Sequence, residues 1–360
     1  MRRMRWLGAM FGFLAVASGC SSSADGKTDD EYRAEITSGM HDSLALEIAD
    51  WKQAATELAG YAPSPSGRGW DPTLDAKALS DIKEAWQRMR VSYEHIEGAI
   101  APLFQEIDYW TDARYDDFLS NLPEQGDDNP FDGEGVTGQH AIERILYSDT
   151  IPSYVVAFES KLPGYKAARF PSSETEASDF KNKLCARLLS DIVSLQGVWQ
   201  PAKIALDGAY EGLVSLMNEQ AEKVNKAATQ EEESRYAQRT LADLHANLEG
   251  TIKIYQLFRP WIVAKGGSDG MSSGATIDEK IKAGFDSLRS AYVTTPGDAI
   301  PQPPPGWSSI KPTPQDLESP FGKLFMAVQQ AVDPKEESSV VTQMNEAGKL
   351  LGFPLFVPEP

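Results

Sequence analysis

Apolar residues recur every three or four positions through most of this 360-residue sequence. Such spacing places the apolar side chains on one face of an α-helix, which can then be buried against another helix. The pattern occupies ten segments: residues 42–58, 75–104, 109–119, 138–147, 174–195, 201–227, 231–258, 277–292, 316–332 and 338–351. No segment shows the apolar–polar alternation typical of a half-buried strand. The sequence therefore predicts an all-α fold built from antiparallel helix bundles.

The length of the chain and its long connections indicate more than one folding unit. Three long loops are predicted, at residues 62–72, 123–137 and 294–314, and the last is rich in proline. A single small hydrophobic core rarely serves so long a chain. We therefore expect an N-terminal helical bundle over residues 39–200 and a C-terminal helical bundle over residues 201–360.

Two short segments resemble each other and indicate an internal duplication. Residues 96–100 read IEGAI and residues 248–252 read LEGTI, each inside a helical pattern. Glycine inside a helix costs about 1 kcal/mol relative to alanine, so we expect Gly98 and Gly250 at close helix crossings, one in each half. The two bundles would then be related by a pseudo-repeat, although so short a match also arises by chance.

The first twenty residues have the features of an export signal. Three arginines lie within the first five residues, and the apolar stretch at residues 6–16 is too short to span a bilayer comfortably. Residues 17–20, Ala-Ser-Gly-Cys, resemble a bacterial lipobox. We predict a lipoprotein signal peptide at residues 1–19, with Cys20 as the lipidated first residue of the mature chain. An ordinary signal peptide with an incidental cysteine is the alternative.

The residues that follow the signal are predicted to form a tether. Residues 20–38 begin with a Ser/Gly/Asp-rich run that is typical of a flexible linker. In a host with two membranes, Ser21 resembles the residue that follows the cysteine in lipoproteins sent to the outer membrane. We therefore expect an exported protein, lipid-anchored in the outer membrane and facing the periplasm. Cys185 is the only other cysteine, so no intramolecular disulfide is expected, and its apolar surroundings predict a core residue.

The chain is strongly acidic, with 34 Lys and Arg residues against 53 Asp and Glu residues and a formal net charge of −19. Removal of the signal peptide takes away three arginines and no acidic residue, which changes −19 to −22. Nucleic acid and anionic lipid headgroups are poor partners for such a surface. Metal cations or cationic partners suit it better.

His140 and Glu143 are the first candidates for metal ligands. They lie three residues apart in a segment predicted to be helical, so both side chains lie on one face. A neutral imidazole and a carboxylate are a competent ligand pair for a transition metal. The chain has only four histidines, but a lone His-x-x-Glu also occurs on solvated helix faces, so the spacing alone leaves both interpretations open.

A second acidic group precedes this motif in the sequence. Glu94 and Glu97 share a helix face by the same spacing, and Asp108 and Asp112 share another if that segment is helical. Carboxylates on neighbouring helices repel each other unless a positive charge lies between them. Glu-x-x-Glu opposite His-x-x-Glu is close to the metal sites of carboxylate-rich helix bundles. For Glu94 and Glu97 taken alone, an exposed acidic face is the alternative.

Other kinds of site have less support. The sequence lacks His-Glu-x-x-His, Gly-x-x-x-x-Gly-Lys-Ser/Thr and Gly-x-Ser-x-Gly. The acidic loop at residues 127–134 breaks the alternation that a calcium loop requires. His245 and Glu249, four residues apart, are a weaker second pair, and His41 is expected to be a packing or surface residue.

Three blocks of sequence together resemble the imelysin-like family, and most closely its EfeO/EfeM branch. Gly138-x-His140-x-x-Glu143 is similar to the family signature Gly-x-His-x-x-Glu. Parts of residues 90–118 and 235–250 resemble two further blocks of that branch, and the three occur in the family's order. The resemblance extends over nearly the whole mature chain.

The resemblance implies a fold, a location and a ligand set. The fold would be two helical bundles related by a pseudo-repeat, in an extracytoplasmic, often lipid-anchored protein implicated in iron acquisition. His140 and Glu143 would be metal ligands. Glu94, Glu97 and Asp112 would be contributed by neighbouring segments.

The resemblance also implies a metal and partners. Iron is the expected metal, with zinc, manganese and copper as alternatives, and an iron permease or peroxidase is the expected protein partner. Glu219 and Asp108 are further candidates for the metal shell. The motif has no second histidine and no evident general base, so the family's metallopeptidase label finds little support and no enzymatic activity is expected. The alternatives are a binding module with a structural metal and, third, a metallopeptidase.

The sequence departs from the family pattern in several places. Val136 and Gln139 stand where the branch often has aromatic residues, and Ala141 stands where it has arginine. Residues 236–241 lack the His and Asp that the family carries there. Helical sequence begins soon after the tether, so we expect no N-terminal cupredoxin-like domain.

Overall fold

Helices form the secondary structure of the protein in the computed structural model, which describes residues 26–121, 129–267 and 272–357. No strand occurs within these ranges. Their α-helices are α1 (Asp29–Tyr61), α2 (Ala76–Glu94), α3 (Glu97–Leu103), α4 (Gln105–Asp112), α5 (Tyr115–Asn121), α6 (Gly138–Leu146), α7 (Ser153–Glu159), α8 (Glu174–Asp179), α9 (Cys185–Trp199), α10 (Leu206–Asn225), α11 (Thr240–Ala264), α12 (Gly274–Thr294), α13 (Pro314–Glu318), α14 (Pro320–Val332) and α15 (Val340–Leu350). A π-helical turn joins α8 to α9. The all-α prediction is confirmed.

Some predictions lie outside the described residues. These are the signal peptide at residues 1–19, the lipidation of Cys20 and the first two residues of the acidic loop at 127–134. Within the described ranges, none of the helices combines the length and the hydropathy needed to cross a bilayer.

Helix α1 begins earlier than expected, at Asp29, inside the segment predicted as a tether. Thr28 accepts a hydrogen bond from the backbone N–H of Glu31, and the Glu31 carboxylate accepts one from the Thr28 backbone, which is a capping box. Tyr32 and Ile36 are buried in the core. Residues 29–38 are therefore helical, because the Thr-x-x-Glu cap starts the helix and two apolar residues anchor it.

Several predicted helices are divided or shortened, and the changes in 75–104 and 231–258 lie beside the candidate site. Segment 109–119 is divided into α4 and α5, and segment 316–332 is divided into α13 and α14. The segment 75–104 forms α2 and α3, which are separated at His95 and Ile96. Residues 231–239, predicted to be helical, form no α-helix. Gln230 and Gln238 have φ values of 69° and 56° at the two ends of that segment, and such values are incompatible with a right-handed helix.

The core lies along α1, which packs on α2, α9 and α11. Helix α11 also packs on α12, and α10 packs on α3, α14 and α15. The largest side chains of the core are four fully buried tryptophans: Trp51, Trp86, Trp199 and Trp261. Trp86 Nε1 donates a 3.0 Å hydrogen bond to the backbone oxygen of Gln139. This bond ties the start of α6 to α2. Cys185 is buried, as predicted.

The two glycines singled out in the sequence lie at close helix crossings. A Cβ atom on Gly250 of α11 would lie 2.3 Å from the backbone oxygen of His95, and one on Gly98 of α3 would lie 3.2 Å from Leu213 of α10. Opposite Gly98, a Cβ atom on Gly212 would lie 2.1 Å from the Gly98 oxygen. Each crossing packs a helix from the first half of the chain on one from the second half. The expectation of one crossing within each half is therefore wrong. The pseudo-repeat and the two-domain division remain predictions.

Candidate metal centre

Helix α6 carries the His-x-x-Glu pair and is buried along its whole length. It begins at Gly138, whose φ of +86° lies in the region that favours glycine. A Cβ atom at Gly138 would lie 2.5 Å from the backbone oxygen of Thr111, near the end of α4. The glycine therefore lets α6 pack directly on α4, and this packing brings His140 beside Asp112.

The His140 imidazole lies between two carboxylates. Its Nδ1 atom is 2.8 Å from Glu143 Oε2, and its Nε2 atom is 3.3 Å from Asp112 Oδ1. The other Glu143 oxygen, Oε1, accepts hydrogen bonds from the backbone N–H groups of Tyr236 and Ala237, at 3.0 and 2.8 Å. Both Glu143 oxygens therefore have partners, and one of them fixes the orientation of the imidazole with Nε2 towards Asp112.

Arg90 lies at the centre of the buried cluster and is only 2% exposed. Its guanidinium contacts the carboxylates of Glu94 and Asp112. The same group lies 3.8 Å from Asp243 Oδ2 on α11. One arginine thus draws together carboxylates from α2, α4 and α11.

Lys223 of α10 supplies a second buried cation. Its ammonium lies 3.0 Å from Glu97 Oε1, 2.7 Å from Glu233 Oε1 and 3.3 Å from Asn247 Oδ1. The amide of Asn247 in turn donates hydrogen bonds to Glu97 Oε2 at 2.7 Å and to Glu94 Oε2 at 2.5 Å. Asn247 therefore links the carboxylates held by Arg90 to those held by Lys223.

Three carboxylates of this cluster have the spacing of a metal site. One oxygen each from Glu94, Glu233 and Asp243 lies within 4.8 Å of the other two. The Glu233 Oε2 atom is buried and has no hydrogen-bond partner. The whole cluster contains more carboxylates than permanent cations, with six set against Arg90 and Lys223: Glu94, Glu97, Asp112, Glu143, Glu233 and Asp243.

The crowding of charge shifts the pKa values of the centre. Burial would raise the pKa of Asp112, but Arg90 and His140 hold it well below its usual range. Burial and the Arg90 charge oppose protonation of His140, yet Asp112 and Glu143 raise its pKa to about 9. Burial raises the pKa of Asp243 to about 6 even though Arg90 opposes the shift. Without a metal, His140 therefore carries a proton at neutral pH.

An open cleft of about 620 Å³ leads from the surface to this cluster. Glu97, Asp112 and Glu233 form its inner wall. Further carboxylates line it: Asp117, Glu211, Glu219 and Glu222. These seven carboxylates outnumber the three cationic side chains of the cleft, so the potential inside it is negative and concentrates cations.

The five residues predicted as metal ligands meet in one region, on α2, α3, α4 and α6. They are Glu94, Glu97, Asp112, His140 and Glu143. The contacts above connect them through Arg90 and Asn247. Of the five, only Glu94 belongs to the compact carboxylate group with Glu233 and Asp243, and the roles of all five as ligands remain predictions.

The further candidates occupy different positions. Glu219 lines the cleft, and burial raises its pKa. The Tyr93 hydroxyl donates a 2.6 Å hydrogen bond to Asp108, and burial together with the charge of a neighbouring aspartate raises the pKa of Asp108 to about 7. His245 and Glu249 line a separate groove, and each side chain is 40% exposed.

Five residues that complete the centre are not among the predicted ligands: Arg90, Lys223, Glu233, Asp243 and Asn247. Two of them could have been found by spacing, because Asp243 and Asn247 lie four apart on one face of α11. Glu233 could not, because it lies in the segment 231–239 that was predicted to be helical. The two cations, Arg90 and Lys223, carry no metal-ligating side-chain atoms, so no ligand motif includes them.

Comparisons with known proteins place this arrangement in a family. The family model for imelysin, described as peptidase M75, matches residues 37–338. An EfeM/EfeO family lipoprotein of Staphylococcus haemolyticus is 26% identical over 253 residues, which cover 69% of this chain and 72% of that protein. The iron uptake system component EfeO of Yersinia pseudotuberculosis is 27% identical over 261 residues, which cover 71% of this chain. The match spans 57% of that EfeO protein's length.

A solved structure supports the fold. An imelysin-like protein from Psychrobacter arcticum aligns with a TM-score of 0.56 over 89% of this chain and 96% of the other. The two sequences are 10% identical, so the likeness concerns the fold alone.

Proposed function

This chain belongs to the imelysin family, and we propose that it is a non-enzymatic, lipid-anchored protein that captures iron in the cell envelope and relays it to an uptake system. The iron is cargo, and it enters through the acidic cleft. The carboxylates at the inner end of the cleft, together with His140, bind it.

The observation that carries this proposal is the surplus of buried carboxylates at the end of an acidic cleft. Taking a carboxylate out of water is costly unless a positive charge compensates it. Arg90, Lys223 and the protonated His140 compensate only part of the charge of the six carboxylates, and a multivalent cation compensates the rest. Carboxylate oxygens with a single imidazole suit iron better than they suit softer metals.

The proposal gives different roles to the residues of the centre. Oxygens of Glu94, Glu233 and Asp243 are close enough to bind one ion, and Asp112 and Glu97 lie at the cleft side of the same cluster. His140 offers Nε2. Glu143 is a positioning residue rather than a ligand, because its oxygens already hold the imidazole and two backbone N–H groups.

The geometry favours binding over peptide hydrolysis. His140 is 1% exposed and Glu143 is fully buried, so a peptide bond has no direct approach to the pair. His140 carries the only imidazole of the centre, and Asp112 and Arg90 both lie beside it. We expect the purified protein, loaded with iron or zinc, to show no cleavage of casein or of unstructured peptides. Metal-dependent cleavage that disappears in a His140→Ala variant would support a metallopeptidase function.

The anchor and the partners are part of the proposal. One relative is described as a lipoprotein and another as an iron uptake system component. We propose that Cys20 carries the lipid, that the protein faces the periplasm from the outer membrane, and that it delivers iron to a permease or peroxidase. Replacement of Cys20 by serine should abolish labelling by a radioactive fatty acid, and persistent labelling would refute the anchor.

The function is tested by iron binding. The protein, purified in detergent, is dialysed against Fe(III) citrate, and bound iron is quantified by mass spectrometry. We expect saturable binding by the wild type and a large loss of affinity in the His140→Ala/Glu143→Ala variant. The matched control is His245→Ala/Glu249→Ala, which removes the same side-chain types from a separate groove and should bind iron normally. Equal iron affinity in both double variants would remove the basis of the proposal.

A further inference from the structure

Lys223 occupies a position between the open cleft and the buried carboxylates. Its ammonium bridges Glu97 and Glu233, which come from different parts of the chain, at 3.0 and 2.7 Å. The side chain is 5% exposed, and the residue also lines the cleft. A cation that moves from the cleft towards Glu97 and Glu233 therefore meets the ammonium first.

A lysine is suited to a position that must be vacated. Its ammonium is a point charge on a flexible four-carbon stem, whereas an arginine would hold two carboxylates in a fixed planar fork. Arg90, deeper in the cluster, has that fork and contacts Glu94 and Asp112. The two internal cations thus differ in the shape and flexibility of their side-chain types, and the lysine lies on the cleft side.

A receiving group for the displaced ammonium lies one helical turn away. Glu219 and Lys223 are four residues apart on α10, so their side chains share a face. The Glu219 carboxylate accepts a 2.7 Å hydrogen bond from Ser215 and has no ion pair with Lys223 in this conformation. Its charge nevertheless acts on Lys223 and favours the protonated ammonium.

We propose that Lys223 is the resident cation of the iron site: it holds Glu97 and Glu233 in the absence of metal, and it swings to Glu219 when iron binds. This inference rests on the proposed function and deepens it by naming the residue that sets the affinity. Binding is then an exchange of one cation for another at Glu233, the carboxylate that Lys223 shares with the proposed iron ligands. The returning ammonium competes with the metal and assists its release, which suits a protein that relays its cargo.

The first test removes the ammonium. In the Lys223→Met variant no cation has to be displaced, so the affinity for Fe(III) citrate should rise by a factor on the order of a hundred, equivalent to about 2.7 kcal/mol. The matched control is Lys226→Met, which removes the same charge from the same cleft. Among the described residues, the ion-pair partner of Lys226 is Glu222, whose side chain is 63% exposed, so its loss should change the affinity by about fivefold or less.

The outcomes separate the two proposals. A wild type that binds no iron refutes the proposed function. A wild type that binds iron, with Lys223→Met no tighter than Lys226→Met, overturns the present inference alone. In the absence of metal, Lys223→Met should unfold at a lower urea concentration than the wild type, because two carboxylates lose their counter-ion. Added iron should restore the urea midpoint of this variant.

If Lys223→Met does not fold, Lys223→Arg takes its place. It keeps the charge but replaces the mobile ammonium with a fork that binds carboxylates more firmly, so iron affinity should fall below that of the wild type. Iron affinity equal to or higher than that of the wild type would contradict the exchange.

A double-mutant cycle tests the receiving group. Glu219→Gln should weaken iron binding in the wild-type background, because the displaced ammonium then lacks its carboxylate. In the Lys223→Met background, or the Lys223→Arg background if needed, the same substitution should have a much smaller effect. A general loss of negative charge from the cleft would weaken binding equally in both backgrounds, and that result would refute the role of Glu219.

Discussion

The crossing of α11 over the end of α2 makes a prediction that joins the fold to the site. Gly250, Asn247 and Asp243 lie on one face of α11, three and four residues apart. At this crossing Asn247 reaches the Glu94 carboxylate, and a Cβ atom on Gly250 would lie 2.3 Å from the backbone oxygen of His95. The substitution Gly250→Ala therefore forces apart the two helices that hold the candidate site together.

The cost of Gly250→Ala can be estimated from this geometry. The new methyl group would also lie 2.4 Å from His95 Cα, whereas ordinary contacts begin near 3.4 Å, so the helices must separate by roughly 1 Å. Overpacking costs about 1–3 kcal/mol, and backbone atoms that cannot rotate away place this site at the upper end. The better helix propensity of alanine offsets about 1 kcal/mol of this cost. We expect a net loss of about 2 kcal/mol in the free energy of unfolding.

Urea unfolding followed by circular dichroism measures this loss. Gly197→Ala is the matched control, because Gly197 lies in α9 and a Cβ atom there would meet no heavy atom within 4 Å from the other described segments. It should stabilise the protein by up to about 1 kcal/mol. Gly250→Ala should also bind iron more weakly, since Asn247 moves away from Glu94. Equal stability of the two variants would refute the close crossing.

Three further predictions concern single side chains. Burial opposes ionisation of Glu47, but His95 and Lys253 lower its pKa from 4.5 to about 2. The ionised carboxylate therefore stabilises the protein fully above pH 5, by about 1 kcal/mol relative to Glu47→Gln after solvent screening. In urea unfolding, this difference in stability between the wild type and Glu47→Gln should vanish as the pH falls from 5 to 2. The buried Cys185 thiol has a raised pKa, so iodoacetamide should label it only in urea; rapid labelling of the native protein would contradict its burial. Glu143→Gln should weaken iron binding about 10- to 100-fold without abolishing it, as isothermal titration can show; complete loss would indicate direct ligation.

The all-α class and the His-x-x-Glu pair of His140 and Glu143 could be predicted because both depend on local spacing. The three-residue periodicity of residues 138–147 identified α6, and the same spacing paired Glu94 with Glu97. The glycines at 98 and 250 indicated close crossings because glycine in a helix needs a packing reason. In each case a short stretch of sequence contains the whole signal.

The rest depends on contacts between distant residues. The backbone N–H groups of Tyr236 and Ala237 bind Glu143 only because residues 231–239 leave the helical path, and periodicity extended the helix through them. Lys223 lies 126 positions from Glu97 in the sequence, so no local pattern could pair the two. Candidate ligands could be identified in the sequence. The buried cations that pair with them could be identified only in the three-dimensional structure.

The most direct measurement of the central claim is the position of iron in crystals of the loaded protein, located by anomalous scattering at the iron absorption edge. We predict a single strong peak among the oxygens of Glu94, Glu233 and Asp243, within reach of His140 Nε2. The Lys223 ammonium should have moved towards Glu219. An iron peak in the separate groove at His245 and Glu249, or iron bound only at the mouth of the cleft, would contradict the account.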